Sequence, residues 1–324
     1  MAKVSVLVAV YNAEQWLPQC LDSLLSQTMG DFQVICVDDA STDNSLQILK
    51  EYAAGDKRIE VIALSKNSGQ AHARNLALQQ AKGDYTCFLD ADDWYAPDTL
   101  QLMTEAFHAD TDCVLLDVIM HYGNHEEHYP MPPFETLDGN DAFTKSLTWQ
   151  IHGVYGVRTE LHKRFPYDET CRSYSDDNTT RLHFLNSRTI RRCNGRYYYR
   201  QHSQSVTHQV SIRRFDYLRA NVSMRQQLVN LNVKNELLNI YENHRWLNLV
   251  GVYMFYHVHG KQLNKDERRY GLKELKSAWK GIDCEALNKK TTAKLGYRHY
   301  NHWWMFRLQE WLYFTLRGFL GKNY

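Results

Sequence analysis

One feature of the first 120 residues limits what this chain can become. Short β-branched runs, bounded by Asn, Asp or Gly, alternate with stretches of helical spacing. Residues 4–10, 32–37, 58–64 and 85–89 read as strands because they are short and apolar with turn-forming ends. Between them Leu17, Leu21, Leu24 and Leu25 recur at helical spacing, with Asn12 as candidate N-cap and Pro18 tolerable in the first turn. Thr42 or Asp43 is placed to cap a second helix running through Lys50, and Ser68 a third ending before Gly83. This repetition predicts right-handed crossovers and a parallel sheet covered by helices on both faces, with any ligand at the carboxyl ends of the strands.

With 44% hydrophobic and 23% charged residues, the 324-residue chain is neither disordered, collagen-like nor coiled-coil. Its first residues start a strand-like run without a cleavage site, and the longest apolar stretch, 246–258, is too short to cross a bilayer and reads as a buried helix. Seven cysteines, an odd count without CxxC, point to reduced thiols and a cytoplasmic setting. The net charge of +1 hides an asymmetry. Residues 1–130 carry 7 Lys and Arg against 20 Asp and Glu, while 131–324 carry 31 against 17. An acidic first half suits metal or ribose binding; a basic second half suits phosphate-rich partners, an anionic membrane surface, or simply an unequal solvated face. Residues 122–140, with Pro130, Pro132 and Pro133, read as a loop, 150–210 as mixed α/β, and the chain beyond 211 as helical and basic. The expected division is 1–210, in halves 1–120 and 121–210, followed by 211–324.

The polar motifs fall at the strand ends. Tyr11-Asn12 follows the first strand, Asp38-Asp39 the second, and Asp90-Ala91-Asp92-Asp93 the fourth. Single Asp residues there are usually turn formers or caps. Three such placements in one sheet would converge on a single crevice. Two carboxylates one residue apart, as Asp90 and Asp92, can hold a hard divalent cation whose shell is completed by phosphate oxygens. An Asp after a strand can accept from a base N–H or a ribose hydroxyl. Asn67-Ser68-Gly69 opens a helix with small residues that let backbone approach a ligand, and Arg74 one turn later suits a phosphate or the Asp cluster, unless it is an ordinary surface residue. GxGxxG and Walker A motifs are absent, which counts against a dinucleotide oxidoreductase or an ATPase. His121, His125, His128 and His152 lie in or near a Pro-containing loop without Cys partners, a poor pattern for zinc.

Taken in order, Val10-Tyr11-Asn12, Val37-Asp38-Asp39-Ala40-Ser41-Thr42-Asp43, Asn67-Ser68-Gly69 with Ala73-Arg74-Asn75, and Asp90-Ala91-Asp92-Asp93 resemble a family 2 glycosyltransferase. The resemblance covers residues 3 to about 120 closely and extends to about 208 more loosely. It implies the GT-A fold, an α/β architecture with a mixed, Rossmann-like sheet flanked by helices, here with a C-terminal helical extension. It also implies inverting transfer of a sugar from a nucleotide-diphosphate donor, most often UDP-linked, with Mg²⁺ or Mn²⁺. By the same resemblance Tyr11 and Asp39 contact the base and ribose, with Asp38, Gly69 and Arg74 in the same pocket. Asp92 binds the metal, and Asp90 contacts the metal, its water or the ribose. The family places an acidic pair, usually Glu-Asp, at a later helix start, the second member acting as base. Tyr174-Ser175-Asp176-Asp177 matches this with Asp in the first position, which makes Asp177 the candidate base, although Ser175 and Asp176 would equally cap a helix. Arg196 to Thr207 resembles the closing strand and loop, so Arg200 and His202 are candidates for the donor diphosphate, while Tyr197–Tyr199 also suit edge-strand packing.

The acceptor implied is a glycan or lipid-linked hydroxyl in cell-surface polysaccharide assembly, with no role for nucleic acid. A sugar nucleotidyltransferase would carry a Gly-rich basic loop after the first strand, and Ala9-Val10-Tyr11-Asn12-Ala13 has neither Gly nor Lys. A non-catalytic nucleotide-sugar-binding protein is the other alternative. Near the C-terminus Met305, Leu308, Leu312, Leu316 and Phe319 share one helical face, with Arg307, Glu310 and Arg317 on the other. With Trp303, Trp304 and Trp311 the segment suits a helix lying peripherally on the inner membrane face, or one docked on the protein's own core or in a dimer.

Overall fold

The seven residues Val4–Val10 form β1 and are almost entirely buried, because alternate side chains serve two different layers. Val4, Val6, Val8 and Val10 pack with Leu17, Leu21 and Leu24, while Leu7 packs with Ile35, Val37, Ala73 and Ala77 on the opposite face. Each fully buried Leu contributes about 1.5–3 kcal/mol, so the leucine spacing in the sequence is enough to dock the first helix. The computed structural model describes residues 2–174, 176–202 and 210–322. The expected cap Ser175 and residues 203–207 of the expected closing loop lie outside them.

The chain forms two compact units, residues 1–169 with 179–205, and residues 170–178 with 206–324. In the first unit β1 is followed by α1 (Leu17–Leu25), β2 (Phe32–Asp38), α2 (Ser45–Gly55), β3 (Ile59–Ala63), α3 (Gln70–Gln80) and β4 (Tyr85–Phe88). Then come β5 (Trp94–Tyr95), α4 (Thr99–Glu105), β6 (Thr111–His121), β7 (Glu126–His128), β8 (Thr136–Leu137), α5 (Gly139–Leu147), β9 (Tyr155–Arg158), α6 (Thr159–Arg164), α7 (Asp176–Leu185), whose residues 176–178 are counted with the second unit, and β10 (Thr189–Arg200). The main path of the sheet runs β3-β2-β1-β4-β9-β6-β10-β5, with β7 beside β6 and β8 beside β10. Strands β3, β2, β1 and β4 are mutually parallel, whereas β9 is antiparallel to both β4 and β6. The sheet is therefore mixed, and only its first half has the all-parallel form that strand–helix repetition implies.

Local details correct several expectations. Trp16, not Asn12, occupies the N-cap position of α1, and Asn12 instead accepts from the Thr42 N–H. Ser68 does not cap α3; Gly69 precedes that helix at φ 97° and ψ 158°, a conformation open essentially to glycine alone. A Cβ at Gly83 would sit 2.7 Å from the Ser5 nitrogen, so glycine lets the chain entering β4 lie against β1. The stretch 122–140 holds two short strands and the start of α5, whose cap Asp138 accepts from the Asp141 N–H.

The second unit contains a short 3₁₀ turn (Ile212–Phe215), α8 (Asp216–Asn230), α9 (Asn235–His259), α10 (Lys265–Lys280), α11 (Lys289–Thr292) and α12 (Trp303–Phe319). Its core joins Phe215, Trp246, Leu249, Leu275, Phe306 and Phe314. The apolar stretch 246–258 is part of α9, and among the described residues no helix is long and apolar enough to cross a membrane.

Candidate functional site

Parallel pairing aligns the strand ends. Val10 lies opposite Asp38, and the Leu89 N–H donates to the Leu7 carbonyl, so Tyr11, Asp39 and Asp90 leave the sheet on one edge. This is the edge where an open α/β sheet leaves a crevice for ligand. Tyr11 projects its ring into solvent, 51% exposed.

Asp39 is buried, and its carboxylate accepts from the Ser68 N–H at 2.6 Å and the Gly69 N–H at 2.8 Å. The Asn67 amide donates to its carbonyl. Asp39 therefore orders the turn into α3 and still has lone pairs left, because an ionised carboxylate offers about four acceptor positions. Asp38 accepts from the Ser41 N–H through Oδ2. Its Oδ1 is buried with no hydrogen-bond partner among the described residues, a placement that costs free energy unless a donor arrives.

The acidic turn after β4 is held from two sides. Arg74, 3% exposed, donates to Asp90 Oδ1 at 2.5 Å and lies over the Phe88 ring at 4.3 Å. It is thus a buried clamp on Asp90, not a surface residue. Gln70 donates to the same oxygen. From β10, the Tyr197 hydroxyl donates to Asp93 Oδ2 at 2.5 Å and accepts from the Asp90 N–H at 3.3 Å. The Arg200 N–H donates to Asp93 Oδ1, its Nε donates to the Asp92 carbonyl, and its guanidinium donates to Gln19. That guanidinium lies between the rings of Trp16 and Trp94, at 4.4 and 4.5 Å. His202 stacks on Trp16, and its Nε2 lies 3.0 Å from Asp92 Oδ2. Residues about 110 positions apart thus meet on one turn.

Burial first, and then the charges of Asp90 and Asp92, push the Asp93 carboxyl well above the usual carboxylate range. Burial and the neighbouring Asp93 and Asp90 raise the Tyr197 phenol in turn. Desolvation draws the Arg200 guanidinium somewhat down despite the carboxylates beside it. The sequence reading missed Asp93, Tyr197, Gln19, Trp16 and Trp94 as parts of this junction. The Asp-Asp ending of the motif and the run Tyr197–Tyr199 in β10 were the only signals of it.

Among the described residues no group of three or more His, Cys, Asp or Glu side chains is arranged to hold a metal. A hard cation whose shell is completed by diphosphate oxygens and water needs only one or two carboxylates, and Asp92 with Asp90 alongside meets that need. Asp90 Oδ1 already accepts from both Arg74 and Gln70, whereas Asp92 Oδ2 faces only the His202 ring among the contacts of the described residues on this turn. Asp176 and Asp177 open the first turn of α7, where the helix dipole favours carboxylates. Asp177 falls within residues 170–178 of the second unit.

Compared with known proteins, residues 5–165 match the family model described as Glycosyl transferase family 2. Through this segment the chain belongs to that family. The Uncharacterized glycosyltransferase EpsJ of Bacillus subtilis is 31% identical over 222 residues, covering 63% of this chain and 62% of EpsJ. Poly(ribitol-phosphate) beta-glucosyltransferase of Bacillus spizizenii is 46% identical over 101 residues, covering 30% of this chain and 16% of that protein. The chain thus spans less than two thirds of the length of either relative. Among solved structures, S. aureus TarS 1-349 in complex with UDP-GlcNAc superposes with a TM-score of 0.76 at 20% identity, over 99% of this chain and 92% of that one. The family 2 chain accordingly has the GT-A fold, a mixed sheet flanked by helices and followed by C-terminal helices.

Proposed function

We propose that this family 2 protein transfers a sugar, with inversion, from a UDP-sugar to a hydroxyl of a glycan or lipid-linked acceptor in cell-surface polysaccharide assembly. The observation that carries the proposal is the junction of Asp90 and Asp92 with Arg74, Arg200 and His202 at the strand ends that also present Tyr11 and Asp39. It combines hard oxygen donors with fixed cationic side chains, the set a sugar diphosphate requires. The UDP-GlcNAc bound by TarS and the poly(ribitol-phosphate) in the name of the Bacillus spizizenii relative support the donor and acceptor classes.

In this reading residues 1–120 bind the nucleotide sugar, 121–210 serve the acceptor, and 211–324 form a basic helical extension. Tyr11 stacks on the base, and Asp39 accepts from base or ribose through its remaining lone pairs. Asp38 Oδ1 takes a further donor, and Gly69 lets backbone approach the ligand. Asp92, with Asp90 beside it, holds Mg²⁺ or Mn²⁺, which supplies charge neutralisation on the departing diphosphate. Arg200 and His202 position that diphosphate, His202 exchanging its contact with Asp92 for a phosphate oxygen. Asp177 accepts the proton of the acceptor hydroxyl as it attacks the anomeric carbon. The seven free cysteines, six of them buried, support a reducing, cytoplasmic setting.

The test is a thermal-shift screen of UDP-, GDP-, CMP- and dTDP-sugars with and without Mn²⁺, followed by turnover assays. A UDP-sugar should stabilise the protein only with metal, and Asp92→Ala should abolish that stabilisation. Asp177→Asn should keep donor binding and lose roughly 10²–10⁴-fold in turnover. No stabilisation by any nucleotide sugar overturns the function, and normal turnover of Asp177→Asn removes the base.

A further inference from the structure

The last helix of the second unit is inside out. Its buried face carries Gln309 and Glu310 alongside Phe306 and Phe314. Its solvent face carries Trp304, Leu308, Trp311, Leu312, Leu316 and Phe319, with Trp304 64%, Trp311 53% and Phe319 85% exposed. Most of these recur at i, i+4, i+7, i+8 and i+15, a single stripe on an α-helix. The sequence pattern groups Met305, Leu308, Leu312, Leu316 and Phe319 on one face with Arg307, Glu310 and Arg317 opposite; in the structure Trp304 and Trp311 belong to the exposed apolar stripe, Met305 is half-buried, and Arg307 lies beside the stripe. Of the placements the pattern allows, docking of the apolar face on the protein's own core is excluded, because that face points outward and Glu310 is buried. Scattered exposed leucines need no explanation, but a contiguous stripe of this size marks a docking surface.

The surroundings of the stripe point to its occupant. Trp304, Leu308 and Trp311 share a groove with Lys261, Arg268 and Arg307, and among the described residues no acidic side chain lines it. The one carboxyl of α12, that of Glu310, is buried, and burial pushes it up to about 8, so it adds little negative charge at neutral pH. Residues 206–324 carry 20 Lys and Arg against 9 Asp and Glu. A second copy of the chain is a poor occupant, since an isologous contact would press one cationic groove against another, with no acidic side chain lining either among the described residues. At about 1.5 Å per residue the helix is roughly 25 Å long, suited to lying along a bilayer surface.

We propose that α12 and the adjoining cationic groove are a docking surface for a bilayer containing anionic lipid. Trp304, Leu308, Trp311, Leu312 and Phe319 enter the headgroup–acyl boundary, and Lys261, Arg268 and Arg307 meet the lipid phosphates. This inference is independent of the catalytic reading.

The test is flotation of the full chain with phosphatidylcholine vesicles and with vesicles containing phosphatidylglycerol. Alongside it run the variants Trp304→Ser/Trp311→Ser/Phe319→Ser and Lys261→Glu/Arg268→Glu/Arg307→Glu, with circular dichroism to check folding. Binding should favour phosphatidylglycerol by at least roughly tenfold, weaken with salt, and fall about tenfold or more in the apolar variant. The charge-reversed variant should lose the lipid preference. No vesicle binding, or equal binding by the apolar variant, overturns the proposal. So does a dimer in sedimentation that the apolar variant converts to monomer.

Discussion

Replacing Tyr197 with Phe removes one oxygen from the middle of the acidic turn and leaves the packing volume nearly unchanged. Tyr197 and Asp93 are each 1% exposed, so water cannot replace what is lost. The hydroxyl serves two partners, Asp93 Oδ2 at 2.5 Å and the Asp90 N–H at 3.3 Å. Leaving a buried polar group unsatisfied costs about 1–3 kcal/mol. The bond to Asp93 is short and the one to Asp90 long, so about 2 kcal/mol in total is the working figure. At about 2–4 °C per kcal/mol for a domain of this size, the melting transition should fall by roughly 4–8 °C. Differential scanning calorimetry is the assay, because a chain of two units need not unfold in one step. A double-mutant cycle with Asp93→Asn should return a coupling of roughly 1 kcal/mol or more. A change under about 1 °C, with the two substitutions additive, would refute the idea that Tyr197 holds Asp93.

Two further outcomes follow from the same region. Asp93 has its folded pKa raised, so its contribution to stability is fully present below the unfolded value of about 3.9 and is lost as pH rises through the folded one. Asp93→Asn should therefore flatten the fall of the melting temperature with rising pH above about 4, and an unchanged slope would contradict the raised pKa. Gly69→Ala should cost about 1–3 kcal/mol, because φ 97° is hostile to an L side chain and the Gly69 N–H would leave Asp39. An unaltered denaturation midpoint would count against that geometry.

Much of the first half of the fold was legible because its signals are local. The valine alternation of β1, the leucine spacing of α1 and the Asp residues closing β2 and β4 each follow from periodicity and turn chemistry within a few residues. Parallel pairing then carries Tyr11, Asp39 and Asp90 to one edge with no further information. Asn12 misled because a polar residue before a helix resembles a cap, yet its side chain accepts from Thr42, 30 residues on. Arg74 was ambiguous because burial is not written in its neighbours. Only the fold lays it over the Phe88 ring and onto Asp90.

The order of strands and helices, and the chemistry waiting at the strand ends, are properties of short stretches of chain, which is why this sequence determined them unaided. Tertiary structure alone decided which groups meet: Tyr197 with Asp93, Arg200 between Trp16 and Trp94, and the apolar side of α12 turned outward. Those pairings depend on how distant segments pack, and a buried hydrogen bond takes its strength from exclusion of water by the whole fold, which no local pattern encodes.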